Sequence, residues 1–287
     1  MLMVVAMVFL AASDAAGKYL TQDYSIWQVL WIRSWVWLSI AIFWTSQRAS
    51  LRRAFRSASP RLQTIRSLVL VVEIVIFIQA FRLLPLGDVT AIGAMTPLIV
   101  LLISVLFLDE RIGKHRWLAV CMGFVGMMLV ARPGFGADGL LTLLPISGAL
   151  LWGTYQALTR HVSSQDSEAT ALLWTGAALF LITSAIAPFF WISPGGPETW
   201  ALFILAGLLN TLGHIALISA MHRGEASSLQ PYSYFQMLAA LAIGYLVFGE
   251  VPDHWKLLGM LAIVGGGIYA LYRERRLAAR DKGSTIL

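Results

Sequence analysis

Long apolar runs alternate along the chain with short polar breaks. A membrane-spanning helix needs about 20 mainly apolar residues, with a range of roughly 17–25. Ten runs approach that length: 2–20, 27–45, 67–84, 87–108, 117–131, 140–158, 169–191, 200–221, 226–248 and 255–272. The fifth is short and is expected to begin earlier, near His115. The breaks carry turn residues, as in Leu84-Pro85-Leu86-Gly87, Arg132-Pro133-Gly134 and Ser193-Pro194-Gly195-Gly196-Pro197. None is long enough for a soluble domain, and the longest, 46–66, is rich in arginine. The first run does not read as a secretory signal: it lacks a positive start, and Asp14 and Lys18 interrupt the supposed cleavage zone. The pattern predicts an all-α integral membrane protein of ten transmembrane helices.

Composition supports that prediction. Of 287 residues, 58% are hydrophobic and 13% charged, against roughly 25% charged in soluble domains. The mean hydropathy is +0.74. A cytosolic enzyme, a disordered chain and a disulfide scaffold are all excluded as readings. The net charge of +6 would hint at nucleic acid in a soluble protein, but in a membrane the position of each charge matters more. With both termini inside, sixteen Lys and Arg fall on the inner side, in 48–66, 111–116, Arg160, Arg223 and 273–282. Four fall outside: Lys18, Arg82, Arg132 and Lys256. That bias predicts both ends cytoplasmic. It also makes the arginines of 46–66 topology anchors against anionic headgroups. No nucleic-acid partner is expected.

Cysteine and histidine add little. Cys121 is the single cysteine, and the five histidines are scattered, so neither a disulfide nor a metal site is expected. No GxxxxGK[ST] stretch occurs, which argues against ATP-driven pumping. No cofactor is expected.

The chain also repeats itself. Gly87-Asp88 and Gly224-Glu225 each stand at the start of a helix. Leu108-Asp109-Glu110-Arg111 resembles Phe248-Gly249-Glu250-Val251, and each is followed by a Trp-initiated helix rich in small residues. A shift of 140 sets Glu110 on Glu250, Ala119 on Gly259 and Gly126 on Gly266. Helices 1–5 and 6–10 therefore read as two copies, 1–134 and 135–287. Five is odd, so the second copy enters the membrane inverted. The charges agree: Arg111, Lys114 and Arg116 follow Glu110 inside, while only Lys256 follows Glu250 outside. Inverted repeats characterise secondary transporters, whose substrate sites lie near the midplane between the halves.

The stretch from Phe81 through Gly87-Asp88 to Thr96-Pro97, ending in Leu108-Asp109-Glu110-Arg111, resembles the second half of an EamA repeat. Leu151-Trp152-Gly153 with Tyr155 resembles the start of a second EamA unit. The resemblance covers nearly the whole chain and implies the drug/metabolite transporter superfamily, in a bacterial inner membrane. It is nearest to ten-helix exporters of aromatic and other amino acids. The second copy departs from the pattern, because Tyr234 falls near where Pro97 would map and Pro231 lies earlier.

Charged groups inside spans are costly and mark candidate sites. Asp14 and Lys18 are spaced i, i+4 and are expected to pair on one helix face. Arg33 lies at similar depth, so these three form a candidate gate or ion-pair cluster. Glu73 stands six residues past Ser67, about 9 Å in at 1.5 Å per residue, with Gln79 further on. A shift of 137 maps Glu73 to Asn210 and Phe77 to His214, which puts polar groups along the third helix of each copy. Met95 and Pro97 mark a bend in helix 4, and Tyr232, Tyr234 and Gln236 follow Pro231 in helix 9. Trp152, Tyr155 and Gln156 form a similar set in helix 6. All of these are expected to line a cavity suited to an amphipathic, partly aromatic solute, with Glu73 and His214 as candidate proton carriers. Buried hydrogen-bonded polar groups with no transport role would leave the same trace. The glycines Gly123, Gly126, Gly259 and 265–267 suit close helix packing, within the bundle or between protomers of a homo-oligomer.

Three function classes remain. A secondary exporter of amino acids or related metabolites leads, with nucleosides or cationic compounds as other solutes. An intramembrane enzyme lacks its constellation: His214 has no GxSx partner and Asp14 no second Asp at its depth. A channel would need a filter, and none is visible in the sequence.

Overall fold

The computed structural model describes residues 1–47, 50–96, 99, 114–131, 140–223 and 229–284. Pro97, the Glu110 loop and Gly224-Glu225 lie outside them. The described elements are helical: α1 (Leu2–Leu20), α2 (Ile26–Ser46), the short α3 (Leu51–Ala54), α4 (Pro60–Leu83), α5 (Leu86–Gly93), α6 (Lys114–Ala131), α7 (Leu143–Val162), α8 (Glu168–Ile186), α9 (Pro197–Arg223), α10 (Tyr234–Phe248) and α11 (His254–Ser284). Short 3₁₀ turns stand at Ala187–Phe190 and Gln230–Ser233.

Five described helices are long and apolar enough to cross a membrane: α1, α2, α4, α9, and α8 with its extension to Phe190. Their outward faces are apolar too, as lipid contact requires. Val8, Phe43, Val72, Leu181 and Leu205 are all exposed. Local chemistry sets several ends. Ser25 and Ser167 cap α2 and α8 by accepting from Trp27 N and Thr170 N. Gly249, at φ +66°, ends α10 in the left-handed conformation that favours glycine.

The start of α4 differs from the sequence expectation. It begins at Pro60, after Ser59, and not at Ser67. Glu73 therefore lies 13 residues into the helix, about 20 Å along it at 1.5 Å per residue.

Packing pairs helices from the two ends of the chain. α1 runs along α9, α4 along α7, α2 along α8, and α6 along α11. Small residues bring the last pair together: a Cβ on Gly126 would stand 2.5 Å from the Gly259 carbonyl oxygen, and one on Gly259 would stand 2.6 Å from that of Gly126. A buried cluster of Met3, Met7, Leu10, Trp37, Leu70, Ile74 and Leu217 joins α1, α2, α4 and α9. A second cluster joins α5, α6, α10 and α11 through Ile92, Met127, Met237 and Ile263. The space between these two clusters is the site.

Candidate functional site

A cavity of about 70 Å³ lies between α1, α2, α4, α5, α7, α9 and α10. Its lining includes the rings of Phe77, Phe81, Trp152 and His214 and the polar groups of Asp14, Arg33, Glu73, Asn210 and Gln236. Gly148 brings one of these rings close: a Cβ there would come within 2.8 Å of the Phe77 ring, so glycine lets α7 approach α4.

Arg33 is held from one side only. Its Nη2 donates to Ser13 Oγ at 2.8 Å and to Asn210 Oδ1 at 2.6 Å. Its Nε and Nη1 are buried without a hydrogen-bond partner. Asp14 Oδ2 accepts from Gln236 Nε2 at 3.1 Å. His214 Nδ1 stands 3.1 Å from the Asn210 carbonyl oxygen. A carbonyl only accepts, so Nδ1 carries a proton and donates it, and the buried Nε2 has no hydrogen-bond partner among the described residues. Trp37 and Trp152 pack around the ring, 4.7 and 6.0 Å from it between centroids. Among the described residues, no hydrogen bond or ion pair reaches the Glu73 carboxylate, and no group of three or more His, Cys, Asp or Glu could hold a metal ion.

The structure thus brings Asp14, Arg33, Glu73, Phe77, Trp152, Asn210, His214 and Gln236 to one cavity. Both pairs related by the 137-residue shift, Glu73 with Asn210 and Phe77 with His214, are among them. Other expected residues stand elsewhere. Tyr155 is fully buried and bonds to Arg66. Gln156 is buried behind the cavity lining. Met95 and Tyr234 pack in the second apolar cluster, and the Tyr234 hydroxyl finds no partner. Tyr232 packs against the first cluster, and Gln79 is half-buried off the cavity. Pro97 lies outside the described residues. Ser13, Thr90, Thr96 and Ser233 belong to the site or its support, yet as isolated hydroxyl residues they carry no sequence signal.

The expected Asp14–Lys18 pair does not form. Lys18 Nζ instead donates to Glu250 Oε1 at 2.6 Å and to the Leu84 carbonyl oxygen at 2.7 Å. Glu250 Oε2 also accepts from Leu86 N at 2.7 Å. Lys256 pairs with Asp88 beside them. The ends of α1, α4 and α10 and the starts of α5 and α11 are tied together here. The i, i+4 spacing of Asp14 and Lys18 permitted a pair, but Lys18 reaches past the last turn of α1 to a partner 232 residues away.

At the opposite end stands a residue that the sequence reading misplaced. Arg66 is fully buried, not a headgroup anchor. Nε donates to Gln63 Oε1 (3.0 Å), Nη1 to Tyr155 Oη (3.3 Å) and Thr159 Oγ1 (3.4 Å), and Nη2 to the Ala171 carbonyl and Thr175 Oγ1 (2.8 Å each). Gln63 passes the contact on, because its Nε2 donates to Asp166 Oδ2 at 2.9 Å. Asp166 lies in the loop between α7 and α8. Burial alone would raise its carboxyl, but hydrogen bonds from Ser57, Gln63 and the Ala58 N–H outweigh burial and hold it below the usual range. The missed signal was Ser59-Pro60, a serine at the N-cap position followed by proline at the first helical position, which moves the helix start ahead of Arg66.

The sequence pattern that defines the EamA-like transporter family matches residues 1–132 and again 139–272. A riboflavin transporter of Vibrio cholerae is 28% identical over 81% of this chain and 78% of its own. An S-adenosylmethionine uptake transporter of Rickettsia felis is 22% identical over 97% of this chain and 94% of its own. A pseudopaline exporter of Pseudomonas aeruginosa is 22% identical over 71% of this chain and 72% of its own. One crystal structure shares the fold with a TM-score of 0.72 at 18% identity, covering 96% of this chain and 97% of that one.

Proposed function

The chain belongs to the EamA-like transporter family, and from that premise we propose that it carries a small ring-bearing solute with a charged end across the bacterial inner membrane, by alternating access of two inverted halves, 1–134 and 135–287. The observation that carries this reading is a cavity whose lining combines the rings of Phe77, Phe81 and Trp152 with Asp14, Arg33 and Glu73. Flat rings stack on Phe77 and Trp152, and the opposite charges of Arg33 and Glu73 suit a zwitterionic end. Aromatic amino acids fit that description. So do larger heteroaromatic metabolites of the kind named for the relatives, riboflavin and S-adenosylmethionine. At about 70 Å³ the cavity is tight, so a fused-ring solute enters only when the halves move apart.

The Lys18–Glu250 and Lys256–Asp88 pairs join the two halves at the outer end and act as the outer gate in this reading. A contact at the other end supports the inversion. A shift of 137 takes Leu84 to Met221, and the Met221 carbonyl oxygen accepts from Arg160 Nη1 at 3.0 Å, as that of Leu84 accepts from Lys18. A carrier of this kind is reversible, so export and uptake are two directions of one cycle, set by the gradients.

Proteoliposomes test the proposal. Riboflavin, S-adenosylmethionine and tryptophan are offered in turn, with and without a pH gradient. Saturable flux of at least one is expected, falling about tenfold or more in Trp152→Leu, the loss of one well-packed ring contact. No saturable flux of any ring-bearing solute, or flux indifferent to Trp152→Leu, would overturn it.

A further inference from the structure

The charges that face the cavity do not balance. From α1 comes Asp14, from α2 Arg33, from α4 Glu73 and from α9 His214. The described lining residues of α5, α7, α10 and the segments that adjoin them (Thr90, Thr96, Trp152, Ser233 and Gln236 among them) add no titratable group. His214 commits Nδ1–H to the Asn210 carbonyl, and its buried Nε2 meets no carboxylate or other hydrogen-bond partner among the described residues. Arg33 spends its bonded nitrogen on Ser13 and Asn210, both neutral, and among the described residues no carboxylate forms an ion pair with it. Two carboxylates thus share one guanidinium that neither touches.

Glu73 is the sharper anomaly. It is 7% exposed, faces the cavity, and has no hydrogen-bond or ion-pair partner among the described residues. A buried carboxylate without a partner is costly inside a span. Asp14 at least receives Gln236. Phe77, one helical turn after Glu73, and Trp152 across the cavity put ring faces beside it, and ring faces also attract cations.

We propose that Glu73, backed by Asp14, is the seat of a positively charged nitrogen or sulfur on the transported solute, so that the substrate class is a ring-bearing onium compound. The inference rests on the transport reading and adds the charge requirement to it. The cation completes the ion pair that the cavity lacks, while Arg33 tolerates a carboxylate on the same molecule.

A charge series on one ring tests it. Tryptamine is cationic, indole-3-ethanol neutral and indole-3-acetate anionic. Their affinities for the purified full-length protein are compared at neutral pH by isothermal calorimetry. Tryptamine is expected to bind about tenfold more tightly than indole-3-ethanol, the ratio that one charge contact at intermediate dielectric supports, with indole-3-acetate weakest. Glu73→Gln should bring tryptamine down to the level of indole-3-ethanol, and Asp14→Asn should narrow the gap by less. Equal binding of tryptamine and indole-3-ethanol, the result expected if Glu73 simply holds a proton, overturns the proposal and leaves the ring-bearing cavity standing. So does a cation preference that survives Glu73→Gln. The unsubstituted protein alone can give the first result, so a variant that fails to fold does not rescue the idea. If the transport reading itself fails, the proteoliposome panel shows no flux, whichever way this series falls.

Discussion

Among the described residues two arginines, Arg33 and Arg66, are buried in the bundle, and their surroundings are opposite. Each nitrogen of Arg66 has a partner, five bonds in all, from α4, α7 and α8. Arg33 uses one nitrogen and leaves two without partners beside a cavity. A buried charge is tolerable when hydrogen bonds replace its hydration. Arg66 meets that condition, and nothing remains for it to bind. Arg33 does not, and its surroundings hold the unpartnered Glu73 and the bare His214 Nε2. The contrast separates a saturated structural clamp from an arginine left open on the cavity wall within one membrane-embedded chain. The repeat sharpens it: a shift of 137 takes Arg66 to Phe203, a fully buried ring in the apolar cluster with Leu20, Val29 and Ile32. The clamp belongs to one copy only.

Substituting both arginines alike is the strongest way to break this comparison. Arg66→Met strands Gln63, Tyr155, Thr159, Thr175 and the Ala171 carbonyl. It is expected to cost about 3 kcal/mol or more, seen as a large drop in melting temperature. Arg33→Met strands only Ser13 and Asn210 and should cost about 1 kcal/mol, while abolishing flux. Equal thermal losses for the two would erase the distinction between clamp and wall.

A smaller effect concerns the gate at the opposite end from the clamp. In a Cys121→Ser background, Thr90→Cys places a thiol in the cavity, one turn beyond Leu86. Adding Glu250→Gln removes the partner of Lys18 and weakens the outer closure by about 1 kcal/mol. The labelling rate from the Glu250 side should rise about fivefold, the shift in open population that such a loss gives. An unchanged rate would mean that the Lys18 cluster does not gate the cavity.

The smallest effect tests whether the clamp extends to its surface. Asp166→Asn should lower stability by less than about 1 kcal/mol, since the carboxylate is largely solvated. The folded carboxyl titrates below its unfolded value, so its contribution is complete above the unfolded value near pH 3.9. It fades as pH falls through the lower folded value. Unfolding curves for Asp166→Asn and the unsubstituted protein should therefore differ at neutral pH and converge in acid. A difference that grows in acid would contradict the hydrogen-bonded carboxylate.

Much was legible from local pattern. Spacing of apolar runs anticipated the five described helices that are long and apolar enough to cross a membrane, and the third-helix match put polar groups on two helices whose Glu73, Phe77, Asn210 and His214 all line one cavity. A single helix face is readable because its period is set by the backbone. Partners are not readable in that way. Asp14 and Lys18 share a face, yet Asp14 turns to Gln236 and Lys18 to Glu250. Arg66 was read as a headgroup anchor because its neighbours Arg52, Arg53 and Arg56 are basic too, and only the helix start at Pro60 carries it inward.

The sequence by itself determined that the chain belongs in a membrane, and that its halves are related, because hydrophobic length and repeated motifs are properties of order along the chain. The tertiary structure alone decided which polar side chains are satisfied and which are left facing the cavity. That depends on pairings such as α1 with α9 and α4 with α7, which bring together residues more than a hundred positions apart. A buried charge declares its role only through what surrounds it.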